Sequence, residues 1–414
     1  MRRLVVLTLT LLTAPAAWAA VLPVGVSALG GRHFSSASSV SSAALVISAS
    51  SIAQAPSSVY RGDWTADTRN TWRDDDGEPR VQLNLRSNAG DNRWGFGVKL
   101  RDLVGLPASA LANVADNIQF IWTREAGTFR FTGSFEQGRG NGTYSFTPDS
   151  AFATNMGAAG YRNLSSDDLI RLAVVDVTVA HVRGLAQAGY ANLPIDDVVR
   201  TRIHRVTPEF VRDLAAVGYA KVPVEDLVRM AIHGATPANI KALQAAGIRG
   251  QSVEELIRFR IHKVTPEFIR AMESLGYRNL PAQELVKMRI HNVTPDFVSA
   301  LDSRGYKNVV AEDLVKMRIH KVTPEEMDQL KALGFGGMSI DQLVKFRIHR
   351  VTREYIKGMK EVGFVTVSEE QLVRMRIHKV DAQFVRDARA DGLAVQTPSD
   401  AVDLAIHGPR RRRR

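Results

Sequence analysis

Glycine stands at positions 160, 189, 218, 247, 276, 305, 334, 363 and 392, and every step between them is 29 residues. Histidine keeps the same interval at His204, His233, His262, His291, His320, His349, His378 and His407. A period held without insertion or deletion marks a stacked repeat array, because a unit of altered length would misalign the surfaces packed on either side of it. Eight full units run from Gly160 to Asp391, and a partial ninth ends near His407.

Residues 276–304 show why each unit reads as two short helices. Gly276 ends the preceding helix, since the left-handed conformation beyond a C-terminus is easiest for glycine. Pro281 suits a first turn, helix A runs through "AQELVKMRI", and His291 with Asn292 turns the corner. Thr294 is placed to cap the second helix, Pro295 fits its first position, Asp296 sits favourably at its positive end and Gly305 closes it. Helices of about ten residues are marginal alone, so the units must draw their order from stacking.

Ahead of the array the period changes to two. "VQLNLRS" (81–87), "RWGFGVKL" (93–100), "IQFIWTR" (118–124), "TFRFTGSF" (128–135) and "GTYSF" (142–146) alternate apolar with polar residues, which predicts strands with one buried face. Ala126-Gly127 and "GRGNG" (138–142) separate the last three and read as hairpin turns of a small antiparallel meander. The glycine cluster lies between strands and opens no helix, so it does not read as a phosphate loop. The expected fold class is α+β: an antiparallel β-meander domain over 57–149, then an α-solenoid of two-helix repeats over 150–407.

Two arginines, an apolar run from Leu4 to Leu12 and small residues ending at Ala19 make residues 1–20 a cleavable secretory signal. That run is too short to span a membrane, so the expectation is an exported protein, periplasmic or extracellular, with no transmembrane segment in the mature chain. Residues 21–56 are rich in serine and alanine and read as a flexible linker. Residues 408–414 form a polybasic tail, Gly408 and Pro409 followed by Arg410, Arg411, Arg412, Arg413 and Arg414. With no cysteine, neither disulfides nor thiolate chemistry is available. A net charge of +11 favours an anionic partner, and export argues against nucleic acid.

Three columns of polar residues recur inside the array. Arg202, Arg260, Arg289, Arg318, Arg347 and Arg376 stand two residues before the histidine, and Glu209, Glu267, Asp296, Glu325 and Glu354 stand seven residues after the arginine, with Gln383 the exception. Units with Ala173 and Ala231 at the arginine position have Ala180 and Ala238 at the acid position. That joint loss predicts a clamp between each arginine and the first-turn acid of its own second helix or a neighbour's. The histidines persist without the clamp, at His233 and His407, and are read as structural fasteners whose side chains bond free carbonyls at the end of the first helix. One imidazole per layer is too few for zinc, so no metal site is expected. The third column, Arg229, Arg258, Lys287, Lys316, Lys345 and Arg374, with Arg171 and Arg200 before it, faces away from the apolar side. Together with Arg410 to Arg414 it is the candidate binding surface, partly neutralised by acids three residues earlier and least so at Lys345 and Arg374, which have Gln342 and Gln371 there.

No His-Glu-x-x-His, Gly-x-Ser-x-Gly or phosphate-loop motif occurs, and polar residues repeated in every unit are unlike an active site, which is needed once. The expectation is therefore a non-enzymatic exported scaffold without cofactor, binding a protein that charge suggests is acidic. Electrostatic attachment to an anionic envelope surface or polyanion is an alternative, and a sensor or regulatory module of a signalling system another.

"VTPEFIRAMESLGYRNLPAQELVKMRIH" (264–291) with "AGTFRFTGSFEQGRGNGTYSFTPDSAF" (126–152) resembles a family of bacterial exported proteins with tandem 29-residue helical repeats. It is similar to extracytoplasmic repeat regions sometimes fused to antirepressor-type membrane metallopeptidases. The resemblance covers roughly residues 118–407 and implies an extracytoplasmic repeat region. This chain shows neither the zinc motif nor the membrane helices of such fusions, so peptidase activity is not implied. A weaker likeness to helix-hairpin-helix DNA-binding units lacks the paired glycines that approach phosphate there.

Overall fold

Alternation along the strands sorts their side chains between an interior and an outer face. The computed structural model describes residues 59–68, 79–88, 92–111 and 113–408; the expected signal (1–20), the expected linker (21–56) and Arg410 to Arg414 lie outside the described residues. Strands β1 (Tyr60–Asp67), β2 (Arg80–Ser87), β3 (Arg93–Lys99), β4 (Ala115–Arg124), β5 (Gly127–Glu136) and β6 (Arg139–Pro148) form one antiparallel sheet in the order β3-β2-β1-β6-β5-β4. Two three-stranded meanders thus meet through the first and last strands, where Trp64 is opposite Gly142. The strand β1 is absent from the sequence expectation because Trp64 is its only large inward side chain, flanked by Gly62 and Ala66.

Inward aromatic rings fill the sheet's concave side. Trp64 lies 5.3 Å from Phe120 and 5.6 Å from Phe135 between ring centroids. Phe96 and Trp122, on the two edge strands, stack at 4.9 Å, so the sheet is curled until its edges face each other. The β5–β6 turn consists of Gln137 and Gly138, both at positive φ (47° and 81°), the two-residue turn that matches strand twist. The rest of "GRGNG" is therefore strand and not turn, a correction with a packing cause. A Cβ on Gly140 would sit 2.6 Å from the Phe135 ring and 2.8 Å from Trp64.

Eighteen helices follow among the described residues. The first helices of the units are α2 (Ser166–Val175), α4 (Ile195–Ile203), α6 (Val224–His233), α8 (Val253–Ile261), α10 (Ala282–Ile290), α12 (Ala311–Ile319), α14 (Ile340–Ile348), α16 (Glu369–Ile377) and α18 (Pro398–His407). Between them lie α3 (Val179–Gln187), α5 (Pro208–Ala216), α7 (Pro237–Ala245), α9 (Pro266–Ser274), α11 (Pro295–Asp302), α13 (Pro324–Ala332), α15 (Arg353–Glu361) and α17 (Ala382–Ala390), with α1 (Ser150–Ala158) ahead of the series. The α+β class with a helical repeat region is as expected. Thr294 Oγ1 accepts the Phe297 N–H at 3.2 Å, and Pro295 follows at the first position of α11. Pro281 stands one residue outside α10, at its N-cap, where it supplies no side-chain bond.

First helices pack side by side in chain order from α2 to α18. One cluster of buried side chains runs from Leu185 to Val402, each layer contributing a set such as Leu285, Met288, Val293 and Leu301. Tyrosines after the unit glycines lace the layers: the hydroxyls of Tyr190, Tyr219, Tyr277 and Tyr306 donate to the carbonyls of Val222, Gln251, Val309 and Met338 at 2.5–2.6 Å, always 32 residues on. This fastener was not read from the sequence, where tyrosine alternates with Ile248, Phe335 and Phe364 at the same place.

A second core joins the sheet to the first units, combining Trp64, Phe129 and Phe146 with Leu169, Leu172, Val182 and Val198. Along this seam Asp176 takes Arg202 at 2.8 Å and Arg124 at 3.7 Å, and Arg124 reaches Asp102 at 3.5 Å. His181 is buried beside them at 7% exposure, its Nε2 3.0 Å from Thr201 Oγ1. The Thr201 hydroxyl donates to the Val198 carbonyl, so the imidazole is the donor to Thr201. Burial, and then the nearby Arg202 charge, lower the His181 pKa to about 4.

Candidate functional site

The arginine column does not clamp the repeating acids; within it, among the described residues, only Arg347 reaches a first-turn acid, Glu326 of the preceding second helix. Arg318, Arg347 and Arg376 donate from Nε to the carbonyls of His291, His320 and His349, 27 residues earlier, at 3.5, 3.1 and 3.3 Å. Their guanidinium planes also use the preceding unit's second helix. Arg289, Arg318 and Arg376 lie 5.0, 4.9 and 4.7 Å from the ring centroids of Phe268, Phe297 and Tyr355, and Arg347 pairs with Glu326 at 3.2 Å. Arg202 takes Asp176 in the same direction, and Arg260 lies against Gly234. A helix end offers bare carbonyls and negative partial charge, which accounts for the choice of partner.

The acids instead serve their own helices. Glu209, Glu267 and Glu354 are held below the usual carboxylate range by their own backbone amides and by the capping threonines. Glu209 also pairs with Arg212 at 2.7 Å. Asp296 and Glu325 are exposed at the same first-turn position. Nothing in the structure explains why Ala231 and Ala238 replace both members in one unit.

Three of the histidines, His291, His320 and His349, fasten layers, but through the main chain. His204, His262, His291, His320, His349 and His378 are the C-cap residues of their helices, while His233 and His407 end α6 and α18. Among the described residues it is the carbonyl of His291, His320 and His349 that receives the next arginine, and these imidazoles form no hydrogen bond or ion pair. No group of three His, Cys, Asp or Glu side chains arranged to hold a metal ion occurs among the described residues.

The cation column is more occupied than the sequence suggests. Arg200 and Arg229 pair with Asp197 and Asp226 three residues back, as expected, at 3.3 and 3.0 Å. Each also reaches the next unit, Arg171 to Asp196 at 2.6 Å, Arg200 to Glu225 at 2.5 Å, Arg229 to Glu254 at 2.6 Å, and Lys316 to Asp341. Arg258 finds Gln283 at the reciprocal place and turns back to Glu254 at 3.2 Å. Lys287, Lys345 and Arg374 form no ion pair among the described residues. These bridges follow the stack, so most of the column is internal neutralisation of neighbouring helix ends and not a free stripe.

Two further columns form no hydrogen bond or ion pair through their side chains among the described residues. One residue before each histidine stands an isoleucine, Ile203, Ile232, Ile261, Ile290, Ile319, Ile348, Ile377 and Ile406, each 43–55% exposed. Within α10, Leu285 and Met288 point inward while Ile290 falls off that apolar row. One residue after the histidine, Arg205, Lys263, Lys321, Arg350 and Lys379 are exposed at φ 55–58°. That left-handed backbone costs a residue with a side chain about 1–2 kcal/mol, and a cation at a helix C-terminus regains about 0.3–1 kcal/mol. Gly234 and Asn292 show that the position also accepts residues that adopt this backbone readily.

Because the first helices are stacked in register, these residues collect along one edge of the array: isoleucine, imidazole and, in five units, a cation with no ion pair among the described residues. The opposite ends of the same helices carry acids, such as Asp196 with Asp197 and Glu254 with Glu255. The edge at the helix C-termini is studded with apolar side chains, and its cations, such as Arg260 with Lys263, outnumber the first-turn acid, such as Glu267, that shares the corner. The signal was present as the dipeptide Ile-His in every unit, but helical phase, not composition, makes the isoleucine external.

No protein-family model matches the chain, and a search of curated proteins finds no match to it.

Proposed function

We propose that the protein is a non-enzymatic, exported helical-repeat scaffold that docks another protein along the basic edge formed by the C-terminal ends of its first helices. The observation that carries this reading is the eightfold recurrence of an exposed isoleucine at one position, beside imidazoles that form no hydrogen bond or ion pair among the described residues. Other exposed positions vary between units, as Arg205, Gly234, Lys263 and Asn292 do two residues later. Stacking gives no reason to keep an apolar side chain where it contacts water, whereas a partner that covers it does. The signal-like first twenty residues and the resemblance to exported repeat proteins support an envelope location.

A photo-crosslinking residue at position 319, compared with one at Glu312 on the acidic edge of the same helix, tests the reading in the native envelope. A discrete protein adduct from 319 and none from 312 is the expected result. Equal labelling from both, or none, would remove it. Electrostatic attachment to an anionic surface is the second reading, favoured by the net charge of +11 and the five terminal arginines. Trimming those arginines and raising salt should release a surface-held protein and leave a packed protein interface largely intact.

A further inference from the structure

Resting on that reading, we infer that the partner presents an extended acidic segment, with apolar side chains three residues apart, laid along the isoleucine edge. Successive first helices pack against one another, so the isoleucines recur at about the 8–10 Å of packed helix axes. A polyproline II segment repeats every three residues at about 3.1 Å each, close to the same step, and keeps every third side chain on one side. A β-strand cannot do this, because its side chains change face at each residue.

Charge and hydrogen bonding select the same partner. Beside the isoleucines, Lys263, Lys321, Arg350 and Lys379 form no ion pair among the described residues, and with the arginine column they outnumber the first-turn acids Glu267, Glu325, Glu326 and Glu354 of the same corners, which suits carboxylates between the partner's apolar positions. Each of these imidazoles carries a ring N–H able to donate to a partner. An extended chain offers its backbone carbonyls for that purpose, whereas a partner helix uses them internally.

The test uses the full chain and fluorescence anisotropy with a labelled peptide of repeated Leu-Glu-Pro triplets. Comparison probes are a peptide of the same composition in shuffled order, an acidic helical peptide with leucine every seventh residue, and phosphatidylglycerol vesicles. The triplet peptide should bind at least tenfold more tightly than either other peptide. Ile290→Ser with Ile319→Ser and Ile348→Ser should weaken it at least tenfold while circular dichroism at 222 nm stays unchanged. If that variant loses helix, Lys321→Asn with Lys379→Asn gives the second measurement and should weaken binding several-fold. Equal binding of the shuffled or helical peptide, or binding of vesicles alone, overturns the inference. If the triplet peptide fails while position 319 still crosslinks a protein, the partner chemistry is wrong and the docking edge stands; failure of both removes both.

Discussion

Acid should loosen the seam between the sheet and the array through one side chain. His181 is buried at 7% exposure, with its pKa lowered from 6.5 to about 4 by burial and by Arg202. A group whose folded pKa lies below its unfolded value leaves stability intact above the unfolded pKa; that stability is lost as pH falls towards the folded value. Here the window runs from 6.5 to about 4, and the shift corresponds to a loss of about 3 kcal/mol across it. The informative substitution is His181→Phe, because Phe210, Phe268 and Phe297 occupy the equivalent place in other units. Thr201 keeps its bond to the Val198 carbonyl in that variant. All five tryptophans lie within the first 122 residues, so their fluorescence reads the sheet end of the molecule while helical dichroism reads the array. Urea unfolding followed by fluorescence at pH 7 and pH 4 should show the wild type losing about 3 kcal/mol more than His181→Phe, with carboxylate effects common to both. Parallel losses in the two proteins would refute the reasoning, as would a His181 titration midpoint near 6.5 by NMR.

Tyr277→Phe deletes one bond between layers in a ring the array already tolerates at Phe335 and Phe364, and should cost about 1 kcal/mol in the dichroism-detected transition. Gly140→Ala forces a Cβ within 2.6 Å of the Phe135 ring, and should destabilise the fluorescence-detected transition by about 1–3 kcal/mol or more. The carboxyls of Glu254 and Asp341 are held low first by their bonds to Arg229 and Lys316. Their contribution is therefore present above the ordinary carboxylate pKa and fades as pH falls through the lowered values, and Glu254→Gln at pH 7 should leave the urea midpoint of the dichroism-detected transition nearly unchanged because the pair is exposed.

The 29-residue period made the helical pairs legible, down to α10 over Ala282–Ile290 and the Thr294 cap, because caps, prolines and glycines act within a few residues of where they stand. What acts between layers was not legible. Arg318 faces its own Glu325 in spacing yet bonds the preceding His291 carbonyl, since a single chain shows distance along the backbone and not which layer lies alongside. β1 was hidden because it contributes one tryptophan among small residues, and the "GRGNG" glycines looked like turn because the rings that exclude a side chain come from Trp64 and Phe135, distant in sequence. The external isoleucines were masked by their apolar character, which reads as core until the helix phase is fixed by its neighbours.

The δ1-methyl resonances of isoleucine test the docking edge most directly, because the same residue type lies both on it and in the core. On titrating the full chain with the Leu-Glu-Pro peptide, the methyls of Ile290, Ile319 and Ile348 should shift and those of buried Ile170, Ile240 and Ile356 should hold their positions. Shifts confined to the buried set, or spread equally over both, would contradict an edge built to be covered by a partner.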